Sequence, residues 1–335
     1  MKGRVDLSHG GGGRAMQRLI DEVFRRALGN PALDEGNDFA SLGAVQGRLV
    51  MATDSHVVSP LFFPGGDIGC LAVHGTINDI AMSGASPLYL CASFILEEGF
   101  PLSELERIAQ SMGKASRDAG VPIVAGDTKV VEKGKGDGVF ISTAGIGVVP
   151  EGVNTSGSMA RAGDAILLSG TIGEHGVAVM SSRENLSFGT PIVSDTAPLH
   201  RLVAAMVSAV PQIRAMRDPT RGGLGAVLNE IAMQSGVGMN ITENRIPMRE
   251  EVASACEFLG LDPLYAANEG KLVAVCPPEK AEFLLETMRV HPQGRDAQII
   301  GEVVEDKRHF VQMETVLGGK RIVDWLSGEQ LPRIC

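Results

Sequence analysis

The spacing of apolar residues in the first half of the chain predicts a mixture of helices and strands. Segments with the three-to-four-residue repeat of an amphipathic helix are 16–28, 70–83 and the stretch that Ser103 opens and Gly120 closes. Segments with strand-like apolar runs are 48–53, 88–96, 123–125 and 139–149. Glu106 stands three residues after Ser103, so this pair predicts a capping box. The run 123–125 is expected to end as a strand at the sequence Gly-Asp-Thr-Lys, 126–129.

The second half repeats the alternation after residues 151–163, whose Gly, Ser and Asn content is typical of a linker. Predicted helices are 199–210, 223–234, 250–259 and 279–289, and predicted strands are 239–242, 272–275, 299–304 and 310–313, with another beginning at Asp164. The last eleven residues show no periodicity and are interrupted by Gly328 and Pro332. We therefore expect an α+β chain with domains at 1–153 and 154–324 and a mobile tail, 325–335, that carries Cys335.

Composition excludes several classes of protein. The chain has 335 residues, of which 44% are apolar, and a net charge of −10, which disfavours nucleic acid or an anionic membrane as the main partner. Residues 1–13 are polar and glycine-rich and lack the apolar core of a signal peptide. The five cysteines form no CxxC pair and the seven histidines no HxxxH pair, so neither a disulfide framework nor a zinc site is indicated. A reducing cytoplasm fits this usage.

Four carboxylates follow apolar runs at predicted turns: Asp54, Asp79, Asp127 and Asp218. Carboxylates in such positions suit Mg²⁺ that bridges nucleotide phosphates, although each one alone could equally be a helix cap or a turn former. The glycines 10–13 precede a predicted helix, and their amides could converge on a phosphate. A flexible leader is the alternative for that segment. Together, the four carboxylates and the glycines favour metal-nucleotide binding.

Three further residues are candidates for chemistry. Lys129 could contact a phosphate or a reacting carbonyl, or it could be a solvated surface lysine. Glu269 precedes the strand predicted at 272–275 and could act as a general base if burial raised its pKa, or it could simply belong to a turn. Cys335 lies on a tail long enough to visit more than one site, which suggests a carrier arm.

Ten motifs together carry a resemblance to a known family. They are SHGGGG at 8–13, ATDS at 52–55, SPLFFPGG at 59–66, GTINDIAMSGASP at 75–87, ILEEG at 95–99, GDTKVV at 126–131, RDPTRGG at 217–223, NEGKLV at 268–273, HPQGRDAQIIGEV at 291–303 and PRIC at 332–335. The chain resembles the HypE family of hydrogenase maturation proteins, within the aminoimidazole ribonucleotide synthetase-like superfamily. The resemblance spans almost the whole sequence.

The resemblance implies a β-rich N-terminal domain that forms a homodimer through its sheet, followed by an α/β domain, with ATP between them. It implies the following ligands: Asp54, Asp79 and Asp218 for Mg²⁺, the same Asp54 and Asp79 with Asp127 and Thr128 for ATP, and Gly10, Gly11, Gly12 and Gly13 closing over the nucleotide. Asp127 and Thr128 would belong to a phosphate loop.

The implied reaction is the ATP-dependent dehydration of a carbamoyl group on Cys335 to a thiocyanate. Glu269 and Lys129 would assist deprotonation. The implied partners are the carbamoyltransferase HypF, which loads Cys335, and a HypC–HypD scaffold, which receives the cyanide for a nickel-iron hydrogenase.

Three alternatives remain open at this point. A selenophosphate synthetase would carry a reactive cysteine in the glycine-rich segment, whereas no cysteine precedes Cys70. A thiamine-monophosphate kinase or an aminoimidazole ribonucleotide synthetase would act on a free small molecule and would not need the PRIC sequence. A non-catalytic, nucleotide-dependent scaffold of the maturation complex would bind ATP without turnover.

Overall fold

The computed structural model describes residues 3–35, 37, 39–186, 190–326, 328, 331 and 333–335. In the first half, the helices are α1 (Arg14–Leu19), a π-helical segment (Ile20–Arg25), α2 (Arg26–Leu28), α3 (Pro31–Asp34), α4 (Ile68–Met82) and α5 (Leu102–Ala119). The strands there are β1 (Arg48–His56), β2 (Phe62–Phe63), β3 (Gly66–Asp67), β4 (Ser86–Glu97), β5 (Ile123–Val131) and β6 (Val139–Val149). The predicted strands 48–53, 88–96 and 123–125 thereby become parts of longer strands.

In the second half, the helices are α6 (Glu174–Arg183), α7 (His200–Ala209), α8 (Gly223–Ser235), α9 (Glu250–Leu259) and α10 (Pro278–Val290). The strands are β7 (Ala165–Leu168), β8 (Ala215–Arg217), β9 (Gly238–Thr242), β10 (Val273–Cys276), β11 (Gln298–Val304), β12 (Val311–Glu314) and β13 (Lys320–Ile322). Short 3₁₀ turns occupy Leu7–Gly10, Glu243–Arg245, Pro263–Tyr265 and Pro292–Gly294. The α+β class and most predicted elements are confirmed, whereas the sequence analysis missed α3, β2 and β3 in the first half and α6, β8 and β13 in the second.

The first sheet has four strands in the order β1-β6-β4-β5, with only β4 and β5 parallel. Helices α4 and α5 cover one face. Helix α5 is amphipathic, and its buried positions recur every three or four residues: Leu102, Leu105, Ile108, Ala109 and Met112. The other face of the sheet carries exposed apolar side chains, among them Leu49, Met51 and Ile95. One face is therefore packed, and the other is open in this single chain.

The second sheet has seven strands in the order β13-β12-β9-β11-β7-β10-β8 and is covered on both faces. Helix α8 packs on one face of this sheet, against residues of the central strands such as Ile166 and Val273. Helices α7 and α10 cover the other face, where Leu167 and Ala274 join the same apolar core as helix α4. Because that core is continuous from one sheet to the other, the two halves pack directly against each other.

Two local predictions are corrected by the structure. Helix α5 begins at Leu102 after an N-cap at Pro101, and no side chain caps it, so the capping box of Ser103 and Glu106 is wrong. Strand β5 does not end at 125 but continues to Val131. It is the edge strand of its sheet, where one side needs no partner, so polar residues are tolerated there.

Candidate active site

Four carboxylates from distant parts of the sequence form an acidic cluster: Asp54, Asp79, Asp218 and Glu269. Asp54 lies on the packed side of β1, facing α4, because a Cβ added to Gly75 would lie 3.2 Å from its Oδ2 atom. Asp79 is on α4 itself. Asp218 directly follows β8, and Glu269 lies just before β10. Since β8 and β10 are antiparallel neighbours that pair Arg217 with Val273, these last two carboxylates meet at one edge of the second sheet.

Mutual repulsion and loss of water set the charge of this cluster. Burial, then repulsion from Asp218 and Asp54, raises the pKa of Asp79 to about 7, although its side chain remains accessible to solvent. Burial likewise raises the pKa of Asp218 to about 6. Glu269 is 3% exposed, and burial raises its pKa well above the usual range, with further repulsion from Asp218 and Asp195. The cluster is therefore partly protonated near neutral pH, and its ionised carboxylates supply negative charge that can bind a cation.

The main chain of Glu269 is fixed from both sides. The Asn78 side-chain amide donates to its carbonyl at 3.3 Å, and its N–H donates to the Asp195 carboxylate at 3.1 Å. The second oxygen of Asp195 accepts from the Gly270 N–H and from Lys271 Nζ, at 3.1 and 2.9 Å. Oε1 of Glu269, by contrast, is buried and has no hydrogen-bond partner among the residues that the structure describes. The backbone is thus rigid while the carboxyl group keeps a site available for a proton.

Cys335 lies against the acidic cluster. The thiol is half-buried, and burial followed by repulsion from Glu269 raises its pKa far above the usual range. Repulsion from Asp54 and Asp218 acts in the same direction. The Cys335 carbonyl accepts a hydrogen bond from Val57 N at 3.0 Å. Of the predicted tail, Ser327, Glu329, Gln330 and Pro332 lie outside the described residues.

Asp127 and Lys129 occupy a different location. Both belong to β5 rather than to a phosphate loop or a strand end, so these two expectations about the backbone are wrong. Asp127 pairs with Ser93, which pairs with Ser142, which in turn pairs with Ser55, so these four residues form one row across the sheet. Asp54 belongs to the neighbouring row, where it pairs with Thr143. Because side chains alternate along a strand, Asp127 and Lys129 lie on the open face and Asp54 on the packed face. Lys129 Nζ forms an ion pair with Asp127 at 2.8 Å.

The glycine-rich segment lies near this second group. A Cβ added to Gly10 would come within 3.0 Å of Val130, so Gly10 packs directly on β5. Gly13 is the N-cap of α1, and Gly12 has a positive φ of 76°. A cavity of about 430 Å³ lies between α1, the π-helical segment and strands β4 and β5, and its lining includes Asp127 and Thr128 but no member of the acidic cluster. The predicted site residues therefore fall into two groups within one chain.

The donor set suits Mg²⁺ only in company with phosphate. Within the described parts of the chain, no three His, Cys, Asp or Glu side chains are arranged to hold a metal ion by themselves. Mg²⁺ typically takes one or two protein carboxylates and completes its shell with water and substrate phosphates. The raised pKa values of Asp79 and Asp218 indicate uncompensated negative charge, and Arg217 is already paired with Glu230 at 2.6 Å. These carboxylates fit a cation shared with a nucleotide.

The sequence analysis missed Asp195, which organises the Glu269 turn. Its side chain is only 5% exposed, and Lys271 holds its pKa below the usual range although burial alone would raise it. The only sequence signal was an acidic residue after the apolar pair Ile192 and Val193. Asn78 stood in a noted motif, but no role had been assigned to it.

No helix in the described part of the chain combines the length and apolarity required to cross a membrane.

Comparisons with known proteins identify relatives over almost the full length. The family models for AIR synthase related proteins match at 36–149 for the N-terminal domain and at 161–314 for the C-terminal domain. The carbamoyl dehydratase HypE of Azotobacter vinelandii is 68% identical over 333 residues, which is 99% of this chain and 98% of that protein.

Two solved structures are similar to this chain over most of its length. A crystal structure described as the hydrogenase maturation protein HypE in complex with ATP has a TM-score of 0.95 and 51% identity, covering 98% of this chain and 99% of that one. A crystal structure of a HypE–HypF complex has a TM-score of 0.81 and 53% identity, covering 92% of this chain and 99% of that one.

Proposed function

The chain belongs to the HypE family of carbamoyl dehydratases, enzymes of hydrogenase maturation, and we propose that it dehydrates a carbamoyl group on its own Cys335 to a thiocyanate at the expense of ATP. The observation that carries this proposal is the position of Cys335 near the acidic cluster, where the charges of Glu269, Asp54 and Asp218 act on its thiol. A thiol in that position cannot ionise readily, so it suits a sulfur that arrives already acylated better than one that attacks there.

The reaction balances as one carbamoyl thioester and one ATP giving one thiocyanate, ADP and phosphate. The carbamoyl oxygen attacks the γ-phosphorus and later leaves as part of the phosphate, because hydroxide alone would be a poor leaving group. Both N–H protons are lost as the C≡N bond forms. Glu269 would accept one of them: burial raises its pKa, so its ionised form is a stronger base than an ordinary carboxylate.

Asp54, Asp79 and Asp218 would hold Mg²⁺ together with the phosphates, and the ion would neutralise charge that develops during phosphoryl transfer. Asp127, Thr128 and the glycines 10–13 would contact the nucleotide, and the cavity beside β5 supports this for Asp127 and Thr128, which line it. Lys129 would assist deprotonation. Because Lys129 lies on the open face of the first sheet, this role requires a second copy of the chain to bring it to Glu269.

The partners follow from the same family membership. A relative's structure with HypF supports HypF as the carbamoyltransferase that loads Cys335. We extend the proposal to a HypC–HypD scaffold as cyanide acceptor, to a cytoplasmic location, and to a homodimer formed through the open sheet face with Leu49, Met51 and Ile95. The domain boundaries are proposed at 153/154 and 324/325.

Intact mass spectrometry tests the proposal. The protein is incubated with HypF, carbamoyl phosphate and ATP, and then analysed intact and by peptide mapping. We expect the mass of one carbamoyl group on the peptide containing Cys335, followed by the loss of one water when ATP is in excess. Cys335→Ala is the control and should acquire neither mass. A water loss that persists in Cys335→Ala, or carbamoylation without any water loss, would reject the reaction and favour a scaffold or a small-molecule enzyme.

A further inference from the structure

The residues 333–335 pair with the segment that follows β1. Val57 N donates to the Cys335 carbonyl at 3.0 Å, and Ser59 N donates to the Arg333 carbonyl at 3.1 Å. The two bonds follow the register of an antiparallel pair, with residue 57 opposite 335 and residue 59 opposite 333. Between them, Ile334 is 3% exposed and joins the main apolar core. The segment is therefore held by its backbone, by the buried side chain of Ile334 and by the guanidinium of Arg333, which donates to the Val57 carbonyl at 3.1 Å and forms an ion pair with Asp137.

Helix α6 supplies two side chains that bind main-chain carbonyls of the residues 333–335. His175 Nε2 lies 2.8 Å from the Ile334 carbonyl oxygen. Arg183 Nη2 donates to the Arg333 carbonyl at 2.9 Å and to the Ser59 carbonyl at 2.6 Å, so one guanidinium joins the two paired segments. We call Val57, Ser59, His175 and Arg183 the docking site. It binds main-chain groups and leaves the Cys335 sulfur unconstrained by any of these contacts.

The direction of the hydrogen bonds around His175 follows from donor and acceptor chemistry. A carbonyl can only accept, so His175 Nε2 must carry the proton that binds Ile334. Burial lowers the pKa of His175, which favours the neutral ring, and Nδ1 is then an acceptor. Ser194 Oγ lies 2.7 Å from Nδ1 and itself accepts from Thr196 N at 3.1 Å, so its hydroxyl proton is available for His175. Every polar atom in this chain of bonds is satisfied.

The next residue connects this chain of bonds to the candidate base. Asp195 follows Ser194 and accepts from the N–H groups of Glu269 and Gly270 at 3.1 Å each. The dipeptide 194–195 thus contacts the ring that binds the tail on one side and the turn that carries Glu269 on the other. A shift of the tail and a shift of Glu269 are linked through two adjacent residues.

We propose that His175 and Arg183 are positioning residues that hold the tail by its main-chain carbonyls and so place Cys335 beside Glu269, with Ser194 and Asp195 fixing their relative position. This inference rests on the proposed function for its purpose, because it names the residues that present the substrate-bearing cysteine. It does not require that any of the four residues touches the carbamoyl group.

Alkylation of cysteines in the free, full-length protein tests the docking site. Iodoacetamide labelling over time, with peptide mass spectrometry of each cysteine, compares the parent with His175→Phe and Arg183→Gln. His200→Phe and Arg161→Gln are matched controls away from the tail. Loss of one such hydrogen bond should increase the rate of Cys335 labelling by roughly tenfold, while the controls keep the parent rate. Cys91 lies on the open face that is also proposed for the homodimer, so its labelling rate only checks that the variants are otherwise alike, and it should be equal in all of them.

The buried Cys256 and Cys276 separate release of the tail from loss of fold. If they stay protected while Cys335 becomes reactive, the tail has been released from a folded protein, as proposed. Should His175→Phe unfold, Ser194→Ala and Arg183→Lys provide milder losses, each expected to raise Cys335 labelling severalfold. An unchanged Cys335 rate in every folded variant, or a parent in which Cys335 reacts as fast as it does in the urea-unfolded protein, would overturn the inference.

The labelling needs neither ATP nor a carbamoyl group, so the inference and the proposed function can fail separately. Selective release of Cys335 without any dehydration by the parent would keep the docking site and reject the function. Dehydration by the parent with unchanged labelling in the variants would do the reverse. Where both hold, single-turnover dehydration of carbamoylated Arg183→Gln should be slower while its affinity for ATP is unchanged, which a general loss of structure would not produce.

Discussion

The side-chain amide of Asn78 donates to the main-chain carbonyl of Glu269 at 3.3 Å, although the two residues are 191 positions apart. The same side chain donates to the Ala197 carbonyl and accepts from Leu199 N. Asn78 precedes Asp79 on α4, so one residue ties the carboxylate proposed for the metal to the turn that carries the proposed base. A buried side chain, and not a flexible loop, therefore sets the distance between the proposed metal ligand and the proposed base.

Replacement of Glu269 by Gln should slow the dehydration step without preventing the carbamoylation of Cys335 that precedes it. The amide has nearly the same shape, so the turn and its hydrogen bonds to Asn78 and Asp195 should persist, but the proton acceptor is lost. We expect dehydration to slow by roughly 10²–10⁴-fold, with carbamoylated Cys335 accumulating. Quenched-flow mixing with ATP, followed by intact mass spectrometry, measures this rate.

The exposed Glu286 on α10 offers a matched control, and Glu286→Gln should dehydrate at the parent rate. Equal rates for Glu269→Gln and the parent would remove Glu269 from the proton-transfer step.

Binding of Mg²⁺-ATP should release protons near pH 6.5. Asp79, with a pKa of about 7, is largely protonated there, and a cation that binds the carboxylate must displace that proton. Apparent affinity should therefore rise between pH 6 and pH 8. Calorimetry in two buffers of different ionisation enthalpy measures the protons released, and Asp79→Asn should abolish most of the effect. A binding enthalpy that is the same in both buffers would show that Asp79 keeps its proton, and hence that it binds no metal.

Stability of the nucleotide-free protein should show the opposite pH dependence. The pKa of Asp79 is raised to about 7 and that of Asp218 to about 6, so the folded state binds more protons than the unfolded state above the usual carboxyl pKa of 3.8. The stability that these groups contribute is therefore fully present below pH 3.8, declines as the pH rises above that value, and is lost once the pH has passed the folded pKa values of about 6 and 7. Urea denaturation at pH 5.5 and pH 8 measures how much unfolding free energy the parent and Asp79→Asn each lose between the two pH values. The variant should lose less stability over that interval, and equal losses would argue against the raised pKa of Asp79.

Gly270→Ala should displace the Glu269 turn. A Cβ at that position would lie 1.9 Å from the Asp195 carbonyl oxygen, closer than any real contact, so the backbone of one segment must move. We expect a loss of about 1–3 kcal/mol in the free energy of unfolding, together with a lower dehydration rate. Chemical denaturation and the single-turnover assay measure the two effects.

Gly43→Ala is the control for this substitution because nothing lies within 4 Å of its added Cβ. If Gly270→Ala were as stable and as active as Gly43→Ala, the close packing of the turn against Asp195 would not matter for function.

Local patterns were sufficient for most elements and for half of the site. The prediction at 250–259 matches α9 because its apolar spacing and its closing Gly260 are properties of a short segment. Asp54, Asp79 and Asp218 could be picked out because acidic residues after apolar runs are visible in the sequence. The continuation of β5 through Gly126 and Asp127 could not be predicted, since these residues disfavour strands and their pairing with β4 is a tertiary effect.

The role of Asp195 was equally invisible, for a related reason. Its significance arises from the backbone N–H groups of Glu269 and Gly270, which come from a segment 74 and 75 residues away. No local periodicity reports such a contact. The same holds for His175 and Arg183, whose partners lie near the end of the sequence.

The placement of Lys129 predicts an active site shared between two copies of the chain. Lys129 lies on the open face of the first sheet, whereas Glu269 lies in the second half beside α4, on the packed side. If a homodimer brings these groups together, a mixed dimer of Lys129→Ala and Glu269→Gln contains one site with both defects and one with neither. Random exchange of two inactive variants should then restore roughly a quarter of the parent activity. Sites formed within one chain would each retain one defect, so mixing would restore nothing, and Lys129 would have to act elsewhere than at Glu269.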